Sequence, residues 1–570
     1  MSKFNFPKEE QFINCMYSFP NNRGKEKIPD YILLVTKDKN NKKHLTTIPN
    51  PEYSFYITND TELSNKQHNF IDINKCKKIT CRYNNRYNEM AKASTSKETK
   101  QFYKRCIDSK DWKRLNQLHL QPEFHASDID ICDYYIARFL DENDYQKYNY
   151  GIDILAFDIE VDGSDYIGFP DEKEAPCEVS MITAFDISRK RLYIFAKKYD
   201  TDTFNEFYEN KLKEDIEAIK NEYKEEFPDM KVIPKFFDKE ILLIAYFFKL
   251  VNSIKPDYVL SWNLRFDFQT LLNRLIKICP AYKTMPEYVM CPEEFPVKYV
   301  KVKLDNSPNA ETDYANRVDN FQIFGYSNWI DMMCLYANIT KPNGKEDSYE
   351  LDYIGEKITG KNKVDLADQG YNIKTVHLEN YSLFYKYASV DSLLLGLIIK
   401  KTGFVELLHT IVTMTRTRPT KALKKTVSER NFGEYFYNIS GYTISNNHSS
   451  LVSKNGKIKG AYVAYTSLID RMGSINGVPS NKVLGNVIDM DLSALYPSID
   501  IAYNIASDTM RYKIIVIDNT IKPNEDNDHI VTDQFFENYI SNDNINYGKK
   551  YHGLPDIKEM YELLSMELSA

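Results

Sequence analysis

Gly151-Ile-Asp-Ile-Leu-Ala-Phe-Asp-Ile-Glu-Val161 is the stretch on which the reading of this chain turns. It is an apolar run interrupted only by acids. Side chains alternate along a strand, so Asp158 and Glu160 project from one face of a buried β-strand. An Asp-x-Glu triplet is common by chance in a chain with 81 acidic residues. Its place on an otherwise apolar strand is what singles it out, because burying an unpaired carboxylate is costly and calls for a metal or a strong donor.

Working outward, Met181-Ile-Thr-Ala-Phe-Asp186 and Arg191-Leu-Tyr-Ile-Phe-Ala196 continue the strand as an antiparallel meander. Glu240 to Ile254 has helical periodicity, with Ile241, Ile244, Ala245, Phe248 and Val251 on one side, and Pro256 stops it. Tyr258-Val-Leu-Ser-Trp-Asn-Leu-Arg-Phe-Asp267 reads as a strand delivering Asn263 and Asp267, followed by a helix from Phe268 to Ile278. Trp329 to Tyr336 and Ser348 to Ile354 read as a strand and a short helix. Leu383 to Lys401 reads as a last helix carrying Tyr387-Ala-Ser-Val-Asp391, where the i, i+4 spacing puts Tyr387 and Asp391 on one face. A second acid-bearing strand lies downstream. Val487, Ile488, Met490 and Leu492 surround Asp489 and Asp491, which share a face, and the chain then turns at Tyr496-Pro497.

The nonapeptide Asp491-Leu-Ser-Ala-Leu-Tyr-Pro-Ser-Ile499 resembles motif A of the B-family DNA polymerases, D-x-x-S-L-Y-P-S-I, with Ala494 in the usual serine slot. The resemblance implies that Asp491 binds the two Mg²⁺ ions of a polymerase site, that Tyr496 stacks under the incoming sugar and excludes ribonucleotides, and that the backbone from Leu492 to Leu495 lies near the triphosphate. Lys459-Gly-Ala-Tyr-Val463 resembles the motif placed just before the palm, implying a template contact at Tyr462. Asp158-x-Glu160, Asn263-x-x-Phe266-Asp267 and Tyr387-x-x-x-Asp391, in that order, resemble the three proofreading-exonuclease motifs of the same family. The implied chemistry is phosphodiester cleavage by two Mg²⁺ or Mn²⁺ ions about 3.5 to 4 Å apart. Asp158, Glu160, Asp267 and Asp391 would be the ligands and Tyr387 the group orienting the water, while Asn263 and Phe266 would touch the DNA. Phe266 packs or stacks against the terminal base. Lys361 or Lys363 is a candidate for the scissile phosphate.

The rest of the sequence sets bounds. At 570 residues the chain exceeds one core, so several domains are expected. Its net charge of −7 argues against a simple DNA-coating protein but not against a locally positive groove. Nine scattered cysteines suit reduced thiols. The longest purely apolar run, Ile241 to Phe248, is far short of the roughly 20 residues a bilayer needs, and the N-terminus does not resemble a signal peptide. Asn84 to Lys104 is rich in Arg, Lys, Tyr and Ser; it reads as a solvated helix-loop or, alternatively, a nucleic-acid contact. Arg416, Arg418, Lys421, Lys424, Lys425 and Arg430 form a basic cluster that reads as a phosphate-tracking face or a solvated helix.

The expected fold is α/β and α+β multidomain: a mixed N-terminal domain (1–150), an RNase H-like 3′→5′ exonuclease domain (151–400), a connecting segment returning to the N-terminal domain (401–440) and a partial palm (441–570). The family's fingers motif K-x-x-x-N-S-x-Y-G and palm hairpin Y-x-D-T-D-S are not found after motif A. The chain therefore reads as the N-terminal part of a replicative B-family polymerase of the tailed-phage type, acting on primer-template DNA and single-stranded 3′ ends, with dNTP as second substrate. A second chain would supply the remaining palm, fingers and thumb, a sliding clamp is a further candidate partner, no membrane is involved, and the compartment is the cytoplasm of the infected bacterial host. A stand-alone exonuclease and a non-catalytic DNA-holding subunit are the alternatives. An unpaired half-palm would also make the isolated chain poorly soluble.

Overall fold

The computed structural model describes residues 5–19, 21–23, 26–58, 70–305, 313–317 and 319–444, with two short strands at 474–475 and 478–479. The chain divides into two units, Met1–Lys457 and Ile458–Ala570; in the second, the described part is the antiparallel pair Ser474–Ile475 and Val478–Pro479. The motif A stretch and Lys459–Val463, with Tyr462, Asp489, Asp491, Leu492, Leu495 and Tyr496, lie outside the described residues.

The first unit is built on a six-stranded mixed sheet. Its strands are β1 (Ile154–Asp162), β2 (Glu178–Asp186), β3 (Arg191–Lys197), β4 (Lys231–Phe237), β5 (Tyr258–Ser261) and β6 (Asn328–Asp331), in the order β4-β3-β2-β1-β5-β6. β1, β2 and β3 form the antiparallel meander read from the sequence; β5 and β6 add parallel to β1, and β4 adds parallel to β3. Parallel neighbours need crossovers: helices α1 (Glu240–Ile254) and α2 (Leu264–Ile278) lie on those leading into β5 and β6, and the helical turns Asp202–Glu206 and Leu212–Glu222 on that from β3 to β4. The outer strand β4 carries Pro234 and two lysines, which suit an edge that should not recruit another strand.

Alternation on β1 sets the two faces. Leu155, Phe157 and Ile159 pack with Phe247 and Phe248 of α1 and with Trp329, while Ile154 and Ala156 face Leu394 and Ile398 of α4 (Tyr381–Thr402), α3 (Leu351–Thr359) lying between them in sequence. α1 has the bounds expected from sequence, and Lys255 in left-handed conformation ends it before Pro256. Its buried face differs, however: Leu243 and Phe247 go inward where Ile241 and Ala245 were expected. The helix is apolar nearly all round, so periodicity could not choose the face.

α4 lies unusually close to the sheet. A Cβ on Gly396 would stand 2.5 Å from Phe185 of β2, and one on Gly355 of α3 would stand 2.7 Å from Leu394 of α4. Ser392 Oγ and Thr183 Oγ1 are 2.7 Å apart, and Thr183 Oγ1 donates to the Ala388 carbonyl at 3.0 Å. α4 is also the one helix among the described residues with the length and mean hydropathy (1.3) of a membrane span, yet 78% of that stretch is buried inside the protein; it is a core helix.

The N-terminal residues add separate β-layers. Gln11–Ser18, Tyr31–Lys37 and Lys43–Pro49 form one antiparallel sheet, and Glu52–Ile57 pairs with Lys77–Arg82 and Phe124–His125 in another. After α5 (Phe404–Thr415) and α6 (Lys425–Ile439), Tyr442–Ile444 pairs with Phe70–Asp72, bringing the chain back to this region. The basic cluster of 416–430 turns inward in part. Arg418 meets Asp130 at 2.6 Å, Arg430 pairs with Asp128, and Arg416, 5% exposed, lies over Tyr435. Arg418 and Arg430 therefore tie this segment to the acid-rich Asp128–Asp133 entry, and Arg416 turns in over α6, instead of facing a phosphate. All nine cysteines are free.

Candidate active site

At the carboxyl ends of β1 and β5 a cavity of about 730 Å³ opens, lined by Asp158, Glu160, Asn263, Phe266, Asp267, Lys363, Tyr387 and Asp391. Asp158 and Glu160 come from β1, just before its register shifts between Glu160 and Val161. Tyr387 and Asp391 come from one face of α4. Carboxylate oxygens of Asp158, Glu160 and Asp391 lie within 4.8 Å of one another. Asp267 lines the same cavity but stands outside that group, its carboxylate held by Ser261 Oγ.

The segment carrying Asp267 differs from its expected form. The strand stops at Ser261 and α2 begins at Leu264, so Asp267 sits in the first turn of the helix and not at a strand end. Asn263 is the cap residue, its side-chain oxygen accepting from the Phe266 amide at 3.4 Å. Four residues of the predicted strand were thus helical. The Asn that signals a cap was read instead as part of a binding motif.

The electrostatics are one-sided. Burial and the neighbouring Asp391 charge raise Asp158 to about 7; burial and the surrounding acids push Glu160 and Asp267 well above the usual carboxylate range. Asp391 is raised by burial although Lys363 works against it. Lys363 Nζ is 2.5 Å from Asp391 Oδ2, and the Lys363 amide donates to Asp352 Oδ1 at 2.5 Å. Burial opposes the charge on Lys363, but Asp391, Tyr387 and Asp158 together hold its ammonium well above the ordinary lysine value. Burial, then Glu160 and Asp391, raise the Tyr387 phenol, keeping it a neutral donor. Asp391 Oδ1 is buried and has no hydrogen-bond partner among the described residues. Four acids against one lysine, with a carboxylate oxygen left orphaned, make a hard-oxygen set short of positive charge, which fits divalent cations of the Mg²⁺ or Mn²⁺ type.

Of the two lysines considered from sequence, Lys363 reaches the cavity; Lys361 goes to Glu226 at 3.1 Å. Sequence reasoning missed Phe169. It is 80% exposed on the Gly163–Ala175 loop and stands 5.3 Å, ring to ring, from Phe266 at the cavity mouth. An aromatic in a polar loop without periodicity was the available signal. Ser261 and Asp352, which hold Asp267 and Lys363, had none.

Residues 93–354 match the model for DNA polymerase family B, exonuclease domain. The DNA-directed DNA polymerase of Escherichia phage RB69 is 26% identical over 324 residues, which cover 54% of this chain and 32% of that protein. The match thus spans about a third of the length of that curated relative. Three acids gathered at the end of β1, inside the matched stretch or on the helix packed against it, accord with that match: over residues 93–354 the chain is similar to the exonuclease domain of the family B DNA polymerases.

Proposed function

We propose that the cavity is a 3′→5′ exonuclease site for single-stranded DNA ends, acting as the proofreading centre of a replicative phage polymerase. The observation that carries the reading is the convergence of Asp158, Glu160 and Asp391 within 4.8 Å. With Asp267 these residues would hold two Mg²⁺ or Mn²⁺ ions, which supply an activated water and charge neutralisation at the leaving oxygen. Tyr387 donates its phenol proton toward that water and keeps it in line. Lys363 holds Asp391 in place and offers its ammonium to the scissile phosphate. Phe266 and Phe169 stack on the terminal bases, and Asn263 fixes the turn that presents Phe266. The strand order, a meander followed by two parallel strands with α4 across one face, supports an RNase H-like reading of 151–400. The return of 442–444 to the strand at 70–72 supports a connection back to the N-terminal domain that runs a few residues past the proposed 401–440; 1–150, 151–400 and a palm within 441–570 complete the proposed division.

For synthesis, Asp491 would be the metal-binding palm acid, with Tyr496, Leu492, Leu495 and Tyr462 at the dNTP and template. A second palm carboxylate and the fingers would come from a second chain. A sliding clamp is a further partner, and the compartment is the cytoplasm of the infected host. Purified protein with Mg²⁺ should shorten a 5′-labelled single strand with a free 3′-hydroxyl, and Asp158→Ala/Glu160→Ala should lower the rate by about a thousandfold or more. Equal digestion by both proteins would refute the assignment.

A further inference from the structure

The loop 163–175, which leaves the end of β1 and carries Phe169 to the cavity mouth, is anchored at its two ends and open between them. At its start, Asp162 Oδ1 accepts from the Ser164 amide at 3.1 Å and from the Ser164 hydroxyl at 2.6 Å. Towards its end, Asp171 Oδ1 accepts from the Lys173 and Glu174 amides at 2.7 and 3.1 Å, and Asn273 of α2 donates to the Glu172 carbonyl at 2.9 Å. Between these anchors stand two apolar side chains in water, Ile167 at 98% and Phe169 at 80% exposure. Among the described residues, the hydrogen bonds that reach this tip from outside the loop both come from one atom. Lys374 Nζ donates to the Tyr166 carbonyl at 3.0 Å and to the Gly168 carbonyl at 2.7 Å. Gly168 has a φ of +89°, which glycine adopts without strain, so the chain can turn between the two carbonyls and bring both to one ammonium. The lysine stem runs over Gly163, where a Cβ would stand 3.2 Å from Lys374 Cγ.

Lys374 precedes the short helix Val376–Glu379, which leads into α4. It therefore ties the loop that follows Asp158 and Glu160 to the segment that precedes Tyr387 and Asp391, and it lines the cavity with them. One ammonium held by two carbonyls, on either side of Ile167, fixes the backbone of the tip, and with it the ring of Phe169 beside Phe266. Without that clasp the tip has no bond to the rest of the protein, and a ligand gripped by Phe169 would have to order the loop as it binds, with a loss of affinity. We propose that Lys374 is a positioning residue, which clasps the 163–175 loop so that Phe169 is already in place at the cavity mouth when the end of an unpaired strand arrives. The nature of the ligand rests on the exonuclease reading; the clasp on the loop does not.

The test pairs two measurements on the whole protein: steady-state digestion of a 5′-labelled single strand in Mg²⁺, and cleavage by chymotrypsin in EDTA, read at Tyr166 and Phe169 from the fragment masses. Lys374→Met should raise KM by about threefold or more and leave kcat unchanged, because the order it removes serves binding equally in the ground and transition states. Lys374→Arg keeps the charge and the donors and should restore KM. Phe169→Ala should raise KM by about fivefold or more. Lys374→Met/Phe169→Ala should be no worse than Phe169→Ala alone, because the lysine acts through that ring. Chymotrypsin should cut the loop faster in Lys374→Met than in the unaltered chain, a readout that needs no nuclease activity. An unchanged KM in Lys374→Met, a fall in kcat without a change in KM, or additive effects of the two substitutions would overturn the proposal. If the unaltered chain digests no strand, the exonuclease reading fails by itself; loop cleavage then decides on the clasp, and equal cutting of Lys374→Met and the unaltered chain overturns it.

Discussion

The same parallel strands carry buried charge at both ends, and the two ends are built on opposite terms. Beyond the carboxyl ends of β1 and β5, four acids crowd around one lysine. Before their amino ends, Lys37 and Lys43 reach in from the N-terminal sheet, where they stand directly opposite each other in the ladder, and both meet Asp257, the residue preceding β5. Lys37 Nζ donates to Asp257 Oδ2 at 2.7 Å and to the Gly151 carbonyl at 2.6 Å, and the Asp153 amide donates to the same Asp257 oxygen at 2.7 Å. Burial and the adjacent Lys37 pull Lys43 down to about 6, so near neutrality the end holds one cation, one anion and a neutral amine. The amino end is balanced and works as a rivet between layers. The carboxyl end is unbalanced, and an imbalance maintained inside a protein points to a ligand that completes it.

The largest effect expected is at the amino end. Asp257→Ala would strand the buried Lys37 ammonium and should cost about 3–5 kcal/mol in a denaturant titration, while the fraction still folded keeps its digestion rate. Next is Gly396→Val, which alters no charge but drives α4 off Phe185 and carries Asp391 with it. A loss of about 1–3 kcal/mol is expected, together with a fall in digestion; unchanged digestion would mean that the position of α4 does not set the site.

The two ends should also respond to pH in opposite directions. In metal-free buffer the folded state holds a proton on Asp158 up to about pH 7, whereas the unfolded chain releases it near 4; the folded state binds more protons in that window, so stability falls as pH rises from about 4 to 7. For Lys43, lowered to about 6, the unfolded chain binds more protons between about 6 and 10.4, so this end gains stability as pH rises through that range. Asp158→Asn/Glu160→Gln should remove the first slope and Lys43→Met the second. The smallest effect is Asn263→Ala, about 1 kcal/mol for a lost cap, recovered by Asn263→Ser. A digestion defect that Asn263→Ser does not recover would give Asn263 a direct contact with DNA.

Much of the carboxyl end was legible in the sequence because acids on an apolar strand conflict with their surroundings. Asp158, Glu160 and the i, i+4 pair Tyr387 and Asp391 stood out for that reason, as did the meander that follows them. The turn at 261–264 was misjudged because Tyr258 to Trp262 is apolar enough to run on as strand, and the asparagine that stops it caps a helix instead. The amino end was not legible at all. Lys37 and Lys43 look like solvated loop lysines, and Asp257 is one acid after a proline; only the tertiary fold brings the three together across more than 200 residues of sequence. The inward turn of Arg416, Arg418 and Arg430 was hidden for the same reason.

The most direct test of the contrast between the ends is thermal unfolding of three proteins, each in EDTA and in Mg²⁺: the unaltered chain, Asp158→Asn/Glu160→Gln and Asp257→Asn. The account predicts that the first variant melts above the unaltered chain in EDTA and gains nothing from Mg²⁺, that the unaltered chain gains from Mg²⁺, and that Asp257→Asn melts lower in both buffers. If Asp158→Asn/Glu160→Gln melts below the unaltered chain in EDTA, or if Mg²⁺ stabilises it equally, the acids are a structural cluster and not a metal site.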